Sequence, residues 1–161
     1  MSERMAAFRM PQYREIPNIG LYLEQTVKYI NTTLAPLGAG ITPSMLSNYV
    51  KQGYVDRPIK KQYYPEQIAH LLFIVLAKQV LSMDSIKTMI ALREQTCTAE
   101  AAYAYFCSEL EMALDRVMNG EDVPPEADAA PQRRLLRSLV IALAYISYLN
   151  RSLTELPPET E

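Results

Sequence analysis

Histidine, cysteine and glycine are scarce in this chain, and each shortage removes a class of function. His70 is the one histidine in 161 residues, and no HExxH or CxxC pattern occurs. A metal site or a nucleophile and base built on such residues has no foundation in the sequence. His70 falls between Ala69 and Leu71 in a helical pattern, where a partly buried structural imidazole is the expected role. Cys97 and Cys107 read as members of one helix. At roughly 100° and 1.5 Å per residue they stand about 80° apart around its axis and about 15 Å apart along it, out of disulfide reach. Buried, reduced thiols are expected. The five glycines form no phosphate-cradling loop. The longest apolar runs, LLFIVLA from Leu71 and LVIALAYI from Leu139, fall well short of the roughly 20 residues that span a bilayer. No positively charged leader precedes either run. The expectation is a cytoplasmic protein that is not an enzyme, holds no cofactor or metal and does not enter a membrane.

What is present is an uneven distribution of charge. The formal net charge is -2. Residues 1–40 carry +1, residues 41–64 carry +3, and residues 65–161 carry -6. The positive segment, TPSMLSNYVKQGYVDRPIKKQYY, holds Lys51, Arg57, Lys60 and Lys61 against Asp56 alone. Screening over roughly 8 Å at physiological salt uncouples such a patch from distant acidic residues, so an acidic total does not exclude a polyanionic partner.

Helical periodicity organises most of the chain. Residues 1–17 have no sustained period and read as an arm. From Asn18, a candidate cap, apolar positions recur at helical spacing to the break at Pro36 and Gly38. Thr42 before Pro43 opens a second helix that Gly53 closes. Tyr54 to Tyr64, interrupted by Pro58, reads as a small hairpin or wing. Pro65 opens a third helix with a broad apolar face through Val80, and Ser82 caps a fourth. A fifth runs from about Thr98 to Asn119. An acidic, proline-rich loop, expected to be mobile, precedes a last helix from about Gln132 to Leu153. The tail LPPETE is expected to fray.

The order helix, glycine turn, basic aromatic segment, helix pair resembles the MerR-type DNA-binding domain. TPSMLSNYVKQGYV matches the recognition helix of that family in register at Thr42, Pro43, Leu46, Tyr49 and Gly53, and LSMDSIKTMI is similar to a later segment. MerR proteins carry arginines where this chain has Ser44, Ser47 and Gln62. PNIGLYLEQTV, TPSMLSNYVKQG, PIKKQY and AKQVLS, between residue 17 and about residue 90, also resemble the DUF1836 family of uncharacterised bacterial proteins.

These resemblances imply a mainly α fold: a MerR-like winged helix-turn-helix with a small β-hairpin wing, then a C-terminal helical dimerisation region. The divisions are an arm at 1–17, the DNA-binding domain at 18–95 and a helical region at 96–161. The implied function is a sequence-specific transcription regulator on double-stranded DNA, with helix 42–52 in the major groove and segment 54–64 on phosphates. The implied contacts are Thr42, Ser44, Ser47, Asn48, Lys51, Arg57, Lys60, Lys61, Gln62 and Tyr63. The alternative is a protein-interaction module that has lost DNA binding. The apolar length of the last helix points to a homodimer, and Tyr103, Tyr105, Phe106, Tyr145 and Tyr148 mark a possible sensing pocket.

Overall fold

Helix starts are set by caps and prolines placed where free amide groups need partners. In the computed structural model, which describes residues 8–126 and 130–156, Thr42 accepts the Met45 amide and Pro43 opens the helix α2 (Pro43–Lys51). Ser82 and Thr98 accept amides in the same way at α4 (Met83–Glu94) and α5 (Ala99–Met118). Prolines also open α3 (Pro65–Ala77) and α6 (Pro131–Glu155). The first helix, α1 (Leu23–Leu34), starts later than Asn18 because Gly20 has φ of +80° and Leu21 pairs its backbone with Tyr63.

α3 is the central element. Ile68, Leu71, Leu72, Ile74 and Val75 are fully buried around it, each contributing roughly 1.5–3 kcal/mol on burial. It packs on α1, α5 and α6, while α5 and α6 pack most extensively on each other. The helix stops at Ala77, so Val80 lies beyond it and is exposed. One buried cluster runs from Met10 and Ile16 through α1, α2 and α3 to Leu139, Val140 and Leu143 on α6. The aperiodic stretch before α1 is fastened to α5: Glu111 accepts the Met10 amide at 2.8 Å, and the Tyr103 hydroxyl donates to the Pro11 carbonyl at 2.6 Å.

The winged fold expected from the sequence is overturned. No β-strand occurs among the described residues, so segment 54–64 is not a β-hairpin wing. A single antiparallel bridge, Ile59 to Gln62, closes a two-residue turn at Lys60 and Lys61. The ladder does not grow, for three local reasons. Pro58 has no amide to donate. The Asp56 and Arg57 carbonyls are taken by the Gln67 side chain at 3.2 and 2.7 Å. Tyr63 pairs with Leu21 instead of continuing opposite Pro58.

Two further expectations are revised. Cys97 lies before α5 and is exposed, whereas Cys107, inside α5, is buried and its thiol is pushed up to about 12 by desolvation. The acidic loop is tied down over its described part by Arg137, which donates to the Pro124 carbonyl and pairs with Glu126. Parts of the arm (1–7), the loop (127–129) and the tail (157–161) lie outside the described residues. No helix of the described residues is long and apolar enough to cross a membrane.

Candidate nucleic-acid interface

The polar face of α2 follows from its periodicity. Leu46 and Tyr49 are buried, and Ser44, Ser47, Asn48 and Lys51, three or four positions apart in the helix, are exposed on the other side. The turn leading into α2 is fixed from two helices. Asn31 on α1 accepts the Ile41 amide at 2.8 Å and donates to the Ile41 carbonyl at 2.9 Å, and Lys78 after α3 donates to the Gly40 carbonyl at 2.9 Å. Desolvation lowers the Lys78 pKa. Gly53, with φ of +81°, ends α2 and sends the chain to Tyr54, whose ring meets Tyr49 edge-on at 6.2 Å.

The Lys60–Lys61 turn has an unusual backbone. Both residues have positive φ, 51° and 67°, a conformation that Asn and Gly adopt cheaply and other residues at roughly 1–2 kcal/mol each. The turn is held by mutual hydrogen bonds of 2.9 Å between Ile59 and Gln62 and by the Leu21–Tyr63 pair at 3.0 and 2.7 Å. A Cβ on Gly20 would lie 2.9 Å from the Gln62 side chain, so glycine at that position lets the turn sit against the start of α1. Lys51, Arg57, Lys60 and Lys61 are all exposed, and none has a carboxylate within ion-pair distance among the described residues.

The ten residues marked by the sequence therefore divide. Ser44, Ser47, Asn48, Lys51, Arg57, Lys60 and Lys61 face solvent. Thr42 is exposed, but its hydroxyl oxygen is occupied as the cap of α2. Gln62 is half-buried over Gly20 and accepts a long bond from the Tyr64 hydroxyl. Tyr63 is 4% exposed and belongs to the core. A family pattern described as a domain of unknown function, DUF1836, matches residues 11–106, more than half the chain. The chain belongs to the DUF1836 family. No curated protein and no solved structure matches it.

The DUF1836 region contains α1 to α4 and the first part of α5, so α2 and the lysine turn lie inside it while α6 lies outside. Sequence reasoning missed the supports of this surface, namely Asn31, Gln67 and Gly20, because their partners are 10 to 42 positions away. It also missed Lys87 on α4, whose ammonium lies 6.0 Å from the Tyr54 ring centroid and adds a cation beside the end of α2. Spacing along the chain carries no signal for such a contact.

Proposed function

We propose that this DUF1836 protein is a cytoplasmic, sequence-specific DNA-binding transcription regulator acting as a homodimer. α2 enters the major groove, Ser44, Ser47 and Asn48 approach base edges, and Lys51, Arg57, Lys60 and Lys61 neutralise phosphates. The observation that carries this reading is the pair of lysines held at positive φ. A turn selected for stability alone favours Asn-Gly at these positions. Cations kept there at a conformational cost, with no carboxylate partner within the described chain, have their use outside it. The likeness of TPSMLSNYVKQG to the MerR recognition helix supports the same reading, and serines where that family has arginines fit a thinner set of phosphate contacts.

The homodimer rests on α6. Leu139, Val140, Leu143 and Ala144 are buried, while Leu135, Tyr145, Leu149 and Leu153 are exposed and share another side of the helix. A second copy covers this stripe with the same stripe, as two-fold symmetry requires, and doubles the phosphate contacts.

The test is fluorescence anisotropy of a labelled random-sequence duplex over a range of salt concentrations. The double variant Lys60→Asn/Lys61→Gly keeps the turn and removes its charge. It should lower the slope of log K against log salt by about 3.6 for the bound dimer, one phosphate for each of its four lysines, while melting no lower than wild type. Salt-independent affinity, or no binding at low salt, would instead favour the protein-interaction module.

A further inference from the structure

A second region of the molecule has no part in the DNA-binding reading. α3, α4, α5 and the start of α6 border a half-open cavity of about 510 Å³, within the usual range for small-molecule sites. Its body is apolar: Phe73, Met89, Ile90, Phe106 and Leu136 line it, with Phe73 and Phe106 edge-to-face at 5.0 Å. Tyr103 and Tyr105 also border it, whereas Tyr145 and Tyr148 are exposed on α6.

The charged groups at the cavity decide what kind of molecule fits. Arg93 and Arg133 border it, with Glu66 as the one carboxylate among the described lining residues. Arg133 lies 5.9 Å from the Tyr105 ring centroid. Neither arginine has a carboxylate within 4.0 Å among the described residues, although residues 65–161 carry an excess of acids. Arg137, one turn along α6 from Arg133, is by contrast held by two carboxylates. With Glu66 counted, the described lining carries +1, and Glu126, which accepts from the Tyr105 hydroxyl at 3.5 Å beside it, is itself paired with Arg137, so the excess suits an anion. His70 also borders the cavity, and its Nε2 is buried without a hydrogen-bond partner among the described residues.

From this we infer that the cavity binds a small carboxylate with an apolar body, its chain or ring against Phe73, Ile90 and Leu136 and its charge with Arg93 and Arg133. Both planar guanidinium groups suit a carboxylate geometrically. Because the walls come from α3 and α4 within the DUF1836 region and from α6 outside it, occupancy would tie the two parts together and raise the unfolding temperature.

Isothermal titration calorimetry with octanoate, against 1-octanol as the uncharged match, tests the inference on the full chain. Octanoate should saturate one site per chain and bind roughly 10-fold or more tighter than 1-octanol, the expected worth of a charge-assisted contact. Ala102→Phe, which puts a ring into the space beside a half-buried lining position, should abolish octanoate binding. Arg93→Gln/Arg133→Gln, which leaves the apolar walls intact, should bring octanoate down to the 1-octanol level. Absence of saturable binding by wild type overturns the site. Equal binding of octanoate and 1-octanol, unchanged by the arginine variant, overturns its assignment to an anion.

Discussion

Cations receive opposite treatment in two regions of the molecule. At the start of α6, Arg137 is 14% exposed and spends its guanidinium within the protein: Nε lies 2.6 Å from Glu109, one terminal nitrogen donates to the Pro124 carbonyl at 2.6 Å, and the other lies 3.4 Å from Glu126. The hydrogen bond to Glu109 is the chief cause that raises its pKa. Around α2, Lys51, Arg57, Lys60 and Lys61 stand in water, and two of them occupy a backbone conformation that disfavours them. An arginine with three internal partners fastens a loop. Cations with no carboxylate partner among the described residues, two of them held at a conformational cost, stay available to the polyanion proposed above.

The largest test of that contrast is Arg137→Met. Removing the guanidinium leaves Glu109, also 14% exposed, as an uncompensated charge, so unfolding by denaturant at neutral pH should show a loss of about 3–5 kcal/mol. The double variant Arg137→Met/Glu109→Gln should recover most of that loss. A cost below about 1 kcal/mol for the single variant would place Arg137 among ordinary surface pairs and dissolve the comparison.

On the other side, the lysine turn depends on Gly20. Gly20→Ala combines a left-handed backbone with a Cβ 2.9 Å from Gln62, whereas Gly53 has similar φ and open space around it. Chemical denaturation should give a loss of about 2–3 kcal/mol for Gly20→Ala and about 1 kcal/mol for Gly53→Ala. Equal losses would mean that Gln62 moves aside freely and the turn is not clamped against α1.

The smallest expected effect concerns His70. Burial first, then the Arg93 charge, lowers its pKa, while Asp56 and Glu94 act weakly the other way, and Glu66 also borders the same cavity. The unfolded chain takes up the proton near pH 6.5 and the folded chain only below that, so acidification through this range favours unfolding. Stability should fall by at most about 1.4 kcal/mol per pH unit below pH 6.5. His70→Phe should flatten that part of the profile. An unchanged slope in the variant would assign the acid sensitivity to other groups.

Local chemistry was legible in the sequence because it acts over a few residues. Thr42 with Pro43, Pro65, Ser82 and Thr98 mark the helix starts where they fall, and the alternation of Leu46 and Tyr49 with Ser44, Ser47, Asn48 and Lys51 gives the two faces of α2. Asn18 was misleading since a good capping residue is effective only when the following backbone is free to coil. Here Leu21 is claimed by Tyr63. The same pairing explains why aromatic and β-branched residues in Tyr54–Tyr64 do not make a hairpin. Strand propensity needs an available partner strand, and the carbonyls and amides that would form one are used by Gln67 and Leu21.

By itself, then, the sequence determined six helices with most of their starts, the segregation of positive charge into residues 41–64, and membership of the DUF1836 family, since caps, periodicity and charge are properties of neighbouring residues. Tertiary structure alone decided that the basic segment is a strained turn and not a wing, that Tyr63 and Gln62 face inward, and that Arg93 and Arg133 both border one largely apolar pocket. Those outcomes depend on which distant groups compete for the same amide, carbonyl or charge, and that competition is settled only when α1, α3 and α6 are brought together.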